Sequence, residues 1–540
     1  MTTIIKKILV TITKKLYLSP IDFFKTIYGN SYFIFNLFLC VLYTTIFNLP
    51  IYYIYRSESF FSSEYLIISY FLTTLLNYVV FLCISLIRPL FYISIVVLFV
   101  FSSIVAFLVV NFKVKINMNS VALVFETNIH EASGVAGSEM ICVVLIAFLL
   151  SLVLIFIYRK FIKDIPYKVV IYFVILQTFF INFPIMKFFS FKFRGIPNDL
   201  YIYSKQYIGE KKRSIKMSQK RIDLSKKYKF SYKNSDLVVV LIIGEAERGL
   251  NYSSNGYERE TDPNLKALEA ISYKNAYSCG TITRVSIPCM LTRATFGNQD
   301  ISKKEKSVIS IFKSLGFKTF WISNQGVMGE HETPITPVIN ESDNKIFVNI
   351  SGAFEDKDVL DENILPVFKR IVSQNLEKAF FVIHLIGSHW YYEHHYTERF
   401  RKFTPVCKSK FAQKCTKEEL YNSYDNSLLY TDWVVSEIMK MTSNKNAIVF
   451  FVSDHGESLG EDNIYTHWVE HTNRIEQRSI AWFVFVSDEY KRRHPNLFER
   501  LKENKDKYIS HDNLFHSLLD CALIESEIID KKMSICQHIE

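Results

Sequence analysis

The chain has 540 residues, enough for more than one domain, and 49% of them are hydrophobic. Its mean hydropathy of +0.12 weighs against a wholly soluble enzyme and places part of the chain in lipid. The net charge of +10, from 63 basic and 53 acidic residues, is compatible with nucleic acid, anionic lipid or positive-inside loops, and the location of the charges decides between them.

The apolar excess lies in the first 190 residues. Five stretches there are long enough to cross a bilayer: Tyr32–Tyr55, Tyr65–Leu86, Pro89–Val110, Met140–Tyr158 and Val169–Phe189. Segments such as "FYISIVVLFVFSSIVAFLVV" carry no charge, which separates them from a buried soluble core. No small-residue cleavage site follows the N-terminus, so a signal peptide is not expected. Lys6, Lys7, Lys14 and Lys15, and the loop "YRKFIKDIPYK", put the N-terminus and the loop after span four on the cytoplasmic side. With five spans, everything after Phe189 then lies outside. Lys113 and Lys115 sit in a loop on the outer side and run against the rule.

That placement gives the nine cysteines a meaning. Cys40, Cys83 and Cys142 lie in or beside apolar spans and read as small apolar residues. Cys279 with Cys289, and Cys407 with Cys415, are close pairs in the exported half, where disulfides persist. The first pair brackets "SCGTITRVSIPCM", with its hydroxyls Thr281, Thr283 and Ser286. Cys521 and Cys536 can pair, but spacing does not decide it, and the absence of a CxxC unit disfavours a zinc finger.

The expected organisation is a transmembrane domain over 1–189, a basic interfacial linker over 190–235 and an exported catalytic domain over 236–540. The linker, rich in Lys, Arg and Tyr, fits either an amphipathic surface helix or a solvated connection. Beyond it, apolar strand runs alternate with helical patterns: "DLVVVLIIGE", "FKTFWIS", "KAFFVIHLIGSH", "NAIVFFVSDHGES" and "SIAWFVFVS". This pattern predicts an α/β domain with a mostly parallel sheet covered on both faces. In such sheets sites form beyond the carboxyl ends of the strands. Glu245, Asp454 and His455 arrive at such ends, and their oxygen and nitrogen donors suit a zinc-like ion. A fourth ligand would be a hydroxyl from the cysteine-bracketed run, whose pKa the ion would lower.

The runs "GEAERGLNYSSNGYERET", "SCGTITRVSIPCM", "FTPVC…KC", "SYDNSLLYTDW" and "VSDHGESLGE…YTH" together resemble the membrane-bound phosphoethanolamine transferases that modify lipopolysaccharide. These have five spans and a catalytic domain similar to alkaline phosphatases and sulfatases. The resemblance implies a Zn2+ site of Glu245, Thr283, Asp454 and His455, with Thr283, the second threonine of C-G-T-x-T, as nucleophile. His389 of "GSH" and His467 of "YTH" match positions that hold the phosphoryl group. Glu131 matches a glutamate near the donor head group, whereas the asparagine that accompanies it in the family is replaced by Leu123. His394 and His395 read as loop residues rather than a second metal site.

The implied reaction is ping-pong. Thr283 takes phosphoethanolamine from phosphatidylethanolamine, diacylglycerol leaves, and a lipopolysaccharide acceptor, either lipid A phosphate or a core sugar, attacks the intermediate. The implied setting is the bacterial inner membrane with a periplasmic catalytic domain. The enzyme would be a monomer in contact with membrane lipid. Resistance to cationic peptides such as polymyxin would follow if lipid A is the acceptor. Gly329 and Glu330 follow Met328 where lipid A-modifying relatives have a lysine, and no cysteine lies between Cys289 and Cys407. Both departures bear on the acceptor, leaving core sugar, periplasmic glucan or protein in play.

Rival readings keep the same nucleophile: a sulfatase- or phosphatase-like hydrolase, or a glycerophosphate polymerase. A transporter is disfavoured because mid-span charges are few. A nucleic-acid partner is not expected, since the basic residues gather at membrane flanks and in the linker.

Overall fold

The computed structural model describes residues 30–57, 59–126, 138–171, 195–218, 220–233, 236–325, 334–349, 360–374, 376–467 and 473–539. The chain divides into two compact units, Met1–Ala122 with Ala136–Tyr207, and Leu123–Val135 with Ile208–Glu540.

The first unit is a helical bundle. Helix α1 (Ser31–Tyr43) continues through a π-helical turn, Thr44–Asn48, into α2 (Leu49–Ser57). Three long helices follow: α3 (Ser63–Ser85), α4 (Arg88–Phe112) and α5 (Ser138–Phe161). Among the described residues four stretches are long and apolar enough to cross a membrane: Ser31–Ser57, Ser63–Ser85, Arg88–Phe112 and Glu139–Phe161. They coincide with the first four expected spans. Beyond Ile171 the fifth expected span lies outside the described residues. Apolar side chains such as Ile141, Ile146 and Phe156 remain exposed on the bundle, as a lipid-facing surface requires. Several polar groups inside it bond to backbone carbonyls of neighbouring helices. The hydroxyls of Tyr32 and Tyr158 donate to the carbonyls of Leu82 and Ser85, each at 2.8 Å. Within the stretch expected as a linker, Asn198–Ser218 forms helix α6.

The second unit is built on a seven-stranded sheet. Its strands are β1 (Leu237–Gly244), β2 (Ile271–Ser272), β3 (Lys318–Ser323), β4 (Asn344–Phe347), β5 (Lys378–His384), β6 (Ala447–Ser453) and β7 (Trp482–Val486). The spatial order is β2-β7-β6-β1-β5-β3-β4. Strands β6, β1, β5, β3 and β4 run parallel, and β7 is antiparallel to both of its neighbours. The sheet is therefore mixed. A run such as "AWFVFV" is apolar because both its faces are covered, and that pattern is silent on direction. The central strands are buried on both faces, as parallel sheets demand. Two apolar layers result. One centres on Val239, Leu241, Trp321, Phe380 and Trp482. The other centres on Val240, Ile242, Phe381, Phe451 and Phe483.

The helices that matter for the site are α7 (Thr283–Met290), α8 (Ile364–Val372), α9 (Lys417–Thr442) and α10 (His511–Cys521). Helix α9 starts with a capping box between Thr416 and Glu419, and α10 starts with another between Ser510 and Asn513. Disulfides join Cys279 to Cys289, Cys407 to Cys415 and Cys521 to Cys536. The third is the pair that spacing alone left open.

Candidate active site

The site forms where β1 and β6 end. Their register pairs Gly244 with Ser453, so Glu245 and Asp454 leave the sheet side by side. The Asp454 N–H donates to the Gly244 carbonyl at 3.0 Å. Ala246 then turns the chain with a φ of +58°, the left-handed region that an alanine adopts only under local constraint. Its N–H donates to Asp454 Oδ1 at 3.2 Å, as the His455 N–H does at 2.7 Å.

The β5 end closes over Glu245 from the other side. Ser388 N–H donates to the Glu245 carbonyl at 2.9 Å. Gly387 has a φ of +52°, and a Cβ there would stand 2.8 Å from both the backbone N and O of Glu245. The buried Asp361 carboxylate holds this turn. It accepts from Ile386 N and Gly387 N, each at 2.9 Å, and from Asn324 Nδ2 at 2.8 Å.

Thr283 is the first residue of α7 and is half-buried, whereas Thr281 is buried. Its hydroxyl lies 3.2 and 3.1 Å from the two Glu245 carboxylate oxygens and 3.4 Å from His455 Nε2. His455 Nε2 lies 3.2 Å from Glu245 Oε1 and 3.3 Å from Asp454 Oδ2. Its Nδ1 must carry the hydrogen, because it faces the Gly456 carbonyl at 2.9 Å. The Nε2 lone pair is thereby aimed at the cluster. All four residues expected at a metal centre thus meet at one point.

Their chemistry fits a cation. Asp454 Oδ2 is buried and receives no hydrogen bond among the described residues. Burial, and then the Glu245 charge, push the Asp454 carboxyl up. Burial opposes charge on His455, yet the carboxylates of Asp454 and Glu245 draw its pKa up. A buried group of oxygen and nitrogen acceptors that gathers protons in this way is the environment a divalent ion neutralises. Glu245, His455 and His467 also offer ligand atoms within 4.8 Å of one another. Cys279, Cys289 and Asp512 are similarly close, but the two sulfurs are joined in a disulfide.

The His467 ring lies tilted by 43° against that of His455, with 3.9 Å between centroids. Its Nδ1 lies 2.7 Å from Glu457 Oε2, which leaves Nε2 for the site. Strand β5 ends at His384, so His389 stands in the turn beyond it rather than at the strand end. Its ring centroid is 6.2 Å from that of His467, and its Nδ1 donates to the Trp390 carbonyl at 2.6 Å. His395 is buried 6.4 Å from His389, and His394 ends a short turn over Tyr392–His394. Glu131 lies outside the described residues.

Three further residues near the site were not singled out in the sequence, although Glu457 lies within "VSDHGESLGE". Gln325 Nε2 donates to Glu245 Oε2 at 3.3 Å and to the Leu385 carbonyl at 2.8 Å. Glu457 joins His467 to the Tyr392 hydroxyl, which donates to it at 3.0 Å. His511 accepts from Cys279 N at Nδ1 (3.1 Å) and donates from Nε2 to the Ser453 carbonyl (3.0 Å). It ties the disulfide that flanks Thr283 to the strand that delivers Asp454 and His455.

The chain as a whole is similar to known proteins. The chain is 30% identical over 316 residues to phosphoethanolamine transferase EptA of Escherichia coli strain K12. That match spans 56% of this chain and 56% of that protein, so it covers just over half the length of the relative. The solved integral membrane lipooligosaccharide phosphoethanolamine transferase A of Neisseria meningitidis is 23% identical, with a TM-score of 0.75 over 94% of this chain and 98% of that one. At that identity the likeness establishes the fold. The C-terminal periplasmic domain of EptC from Escherichia coli, solved in complex with zinc, is 26% identical, with a TM-score of 0.52 over 57% of this chain and 89% of that one. The sequence profile described as sulfatase matches residues 238–524, more than half of the chain, and the chain belongs to the sulfatase family.

Proposed function

We propose that the protein transfers phosphoethanolamine from phosphatidylethanolamine to a lipopolysaccharide acceptor, lipid A phosphate or core sugar, through a covalent Thr283 intermediate. One observation carries this reading: the Thr283 hydroxyl opens a helix and lies 3.1–3.4 Å from Glu245 and His455. Zinc bound by Glu245, Asp454, His455 and Thr283 would lower the pKa of the hydroxyl and polarise a phosphoryl oxygen.

The chain's own residues account for the rest. Thr283 Oγ1 passes its proton to Nε2 of His467 or His389 and bonds to phosphorus. The bond from phosphorus to the diacylglycerol oxygen breaks, and that oxygen takes a proton from His467 or His389. Thr283 opens α7, so the positive end of that helix would favour the negative charge of a phosphoryl group carried on its side chain. An acceptor oxygen then gives its proton to the same histidine and bonds to phosphorus, the bond from phosphorus to Thr283 Oγ1 breaks, and the histidine returns the proton to Oγ1. His467 is suited to carrying protons, because Glu457 fixes its ring while Nε2 stays open to the site.

A lipid donor gives the apolar helices a purpose: it brings the substrate to the enzyme in the plane of the membrane. The same reading places the protein in a bacterial inner membrane with its catalytic unit in the periplasm, working as a monomer. Membership of the sulfatase family favours one second reading, a hydrolase in which water makes the second attack.

Mass spectrometry of lipid A and core fractions from cells expressing wild type and Thr283→Ala tests the proposal. A phosphoethanolamine increment on one fraction, lost in the variant, is the expected result and names the acceptor. Free phosphoethanolamine with neither fraction labelled would establish the hydrolase instead.

A further inference from the structure

The stretch from Arg399 to Lys417 holds seven basic residues and no acidic one: Arg399, Arg401, Lys402, Lys408, Lys410, Lys414 and Lys417. Three of these lysines fall inside the nine-residue loop closed by the Cys407–Cys415 disulfide. Lys408 and Lys414 are exposed, and the charge of Lys408 reaches the Glu419 carboxylate at the start of α9. A charge run of this kind is ordinarily a mobile, solvated face. The backbone of this one is tied down at several points.

Its fixings lead to the catalytic histidines. Trp390, which follows His389, donates its Nε1–H to the Lys410 carbonyl at 2.9 Å. The Tyr391 hydroxyl donates to the Cys407 carbonyl at 2.9 Å. The turn Ala412–Lys414 packs against the two-residue strand Tyr465–Thr466, which leads directly into His467. Cys407 N–H donates to Ser423 Oγ on α9 at 2.8 Å, anchoring the base of the loop. A covalently closed cationic loop is thus docked on the residue after one site histidine and on the residues before the other.

We infer that this loop is the surface that receives the acceptor, and that it recognises an anionic, phosphate-bearing glycolipid. The inference rests on the phosphoethanolamine-transfer reading and deepens it. The donor is zwitterionic and gains little from a row of lysines, whereas a polyanion gains both attraction and orientation. The backbone ties hold the loop against the residues next to His389 and before His467, so its charge would act on a ligand that approaches those histidines. The disulfide keeps the mutually repelling lysines together.

The full-length enzyme in neutral detergent micelles allows the two halves of the reaction to be read separately. Diacylglycerol release from phosphatidylethanolamine reports the donor step, and labelled acceptor reports transfer. The Lys408→Glu/Lys414→Glu double variant should release diacylglycerol at the wild-type rate. Its KM for a phosphorylated acceptor lipid should rise about tenfold, with kcat unchanged. The dephosphorylated counterpart should show no difference, and Lys408→Arg/Lys414→Arg should behave as wild type. Wild-type KM should also rise with salt, while that of the reversed-charge variant should not.

An unchanged KM, or an equal rise with the dephosphorylated acceptor, would overturn the inference. So would a defect that appears only on anionic vesicles and not in neutral micelles, since the loop would then dock on the membrane. Wild type that releases no diacylglycerol would instead bring down the transfer reading beneath it.

Discussion

His511 offers the sharpest test of how the nucleophile is held. Its imidazole takes one buried hydrogen bond from Cys279 N at 3.1 Å and gives one to the Ser453 carbonyl at 3.0 Å. His511→Leu fills the space but strands both backbone groups. Each buried orphan costs about 1–3 kcal/mol, so the variant should lose about 2–6 kcal/mol of stability. Turnover should fall further, because a shift of about 1 Å in a reacting group costs about 10²-fold. His511→Gln presents a carbonyl and an amide at one end of its side chain and should recover most of both losses.

The histidine also leaves a pH signature. Burial pushes its pKa down to about 3, against an ordinary value of about 6.5 in the unfolded chain. Between those values the unfolded state binds the extra proton, so stability rises with pH across that window and is lost as pH falls from about 6.5 toward about 3. His511→Gln should remove that part of the slope. Thermal unfolding of the detergent-solubilised protein, with diacylglycerol release alongside, measures all of this. A Leu variant with wild-type stability and turnover would refute the bridge, as would a Gln variant no better than Leu.

Other consequences can be tested alongside it. Chelation should abolish diacylglycerol release and added zinc should restore it, while Asp454→Asn should lower bound zinc, read by elemental analysis of the purified chain. Gly387→Ala should cost at least about 1–2 kcal/mol, because its φ of +52° is left-handed. The new Cβ would press on the Glu245 backbone, so turnover should fall even where the protein still folds; normal turnover would show that the turn has room. Removing the Cys279–Cys289 bond, which closes a separation of 10 residues, should cost about 2–4 kcal/mol in chemical unfolding.

Much of this was legible because two physical patterns coincide. A strand covered on both faces must be apolar throughout, so "DLVVVLIIG" and "NAIVFFVS" announce β1 and β6, and the first polar residues after them, Glu245 and Asp454, announce the site. Choosing Thr283 over Thr281 needed a family resemblance, since both hydroxyls lie in one short run. The direction of β7 was hidden for the reason given above. His511 was hidden because its partners, Cys279 and Ser453, are 232 and 58 residues away. Its own neighbourhood reads only as a helix start. Gln325 was hidden in the same way, by contacts 80 and 60 residues distant.

The pairing of Gly244 with Ser453 carries a consequence for folding. Side chains alternate along a strand, so a slip of one residue between β1 and β6 would send Glu245 and Asp454 to different places. The two strands are apolar throughout, and their side chains alone discriminate weakly between neighbouring registers. A cation needs both carboxylates at once, so it would bind only the correctly paired sheet and draw the population toward it. The ion would then serve as a proofreader of strand alignment before it serves as a catalyst.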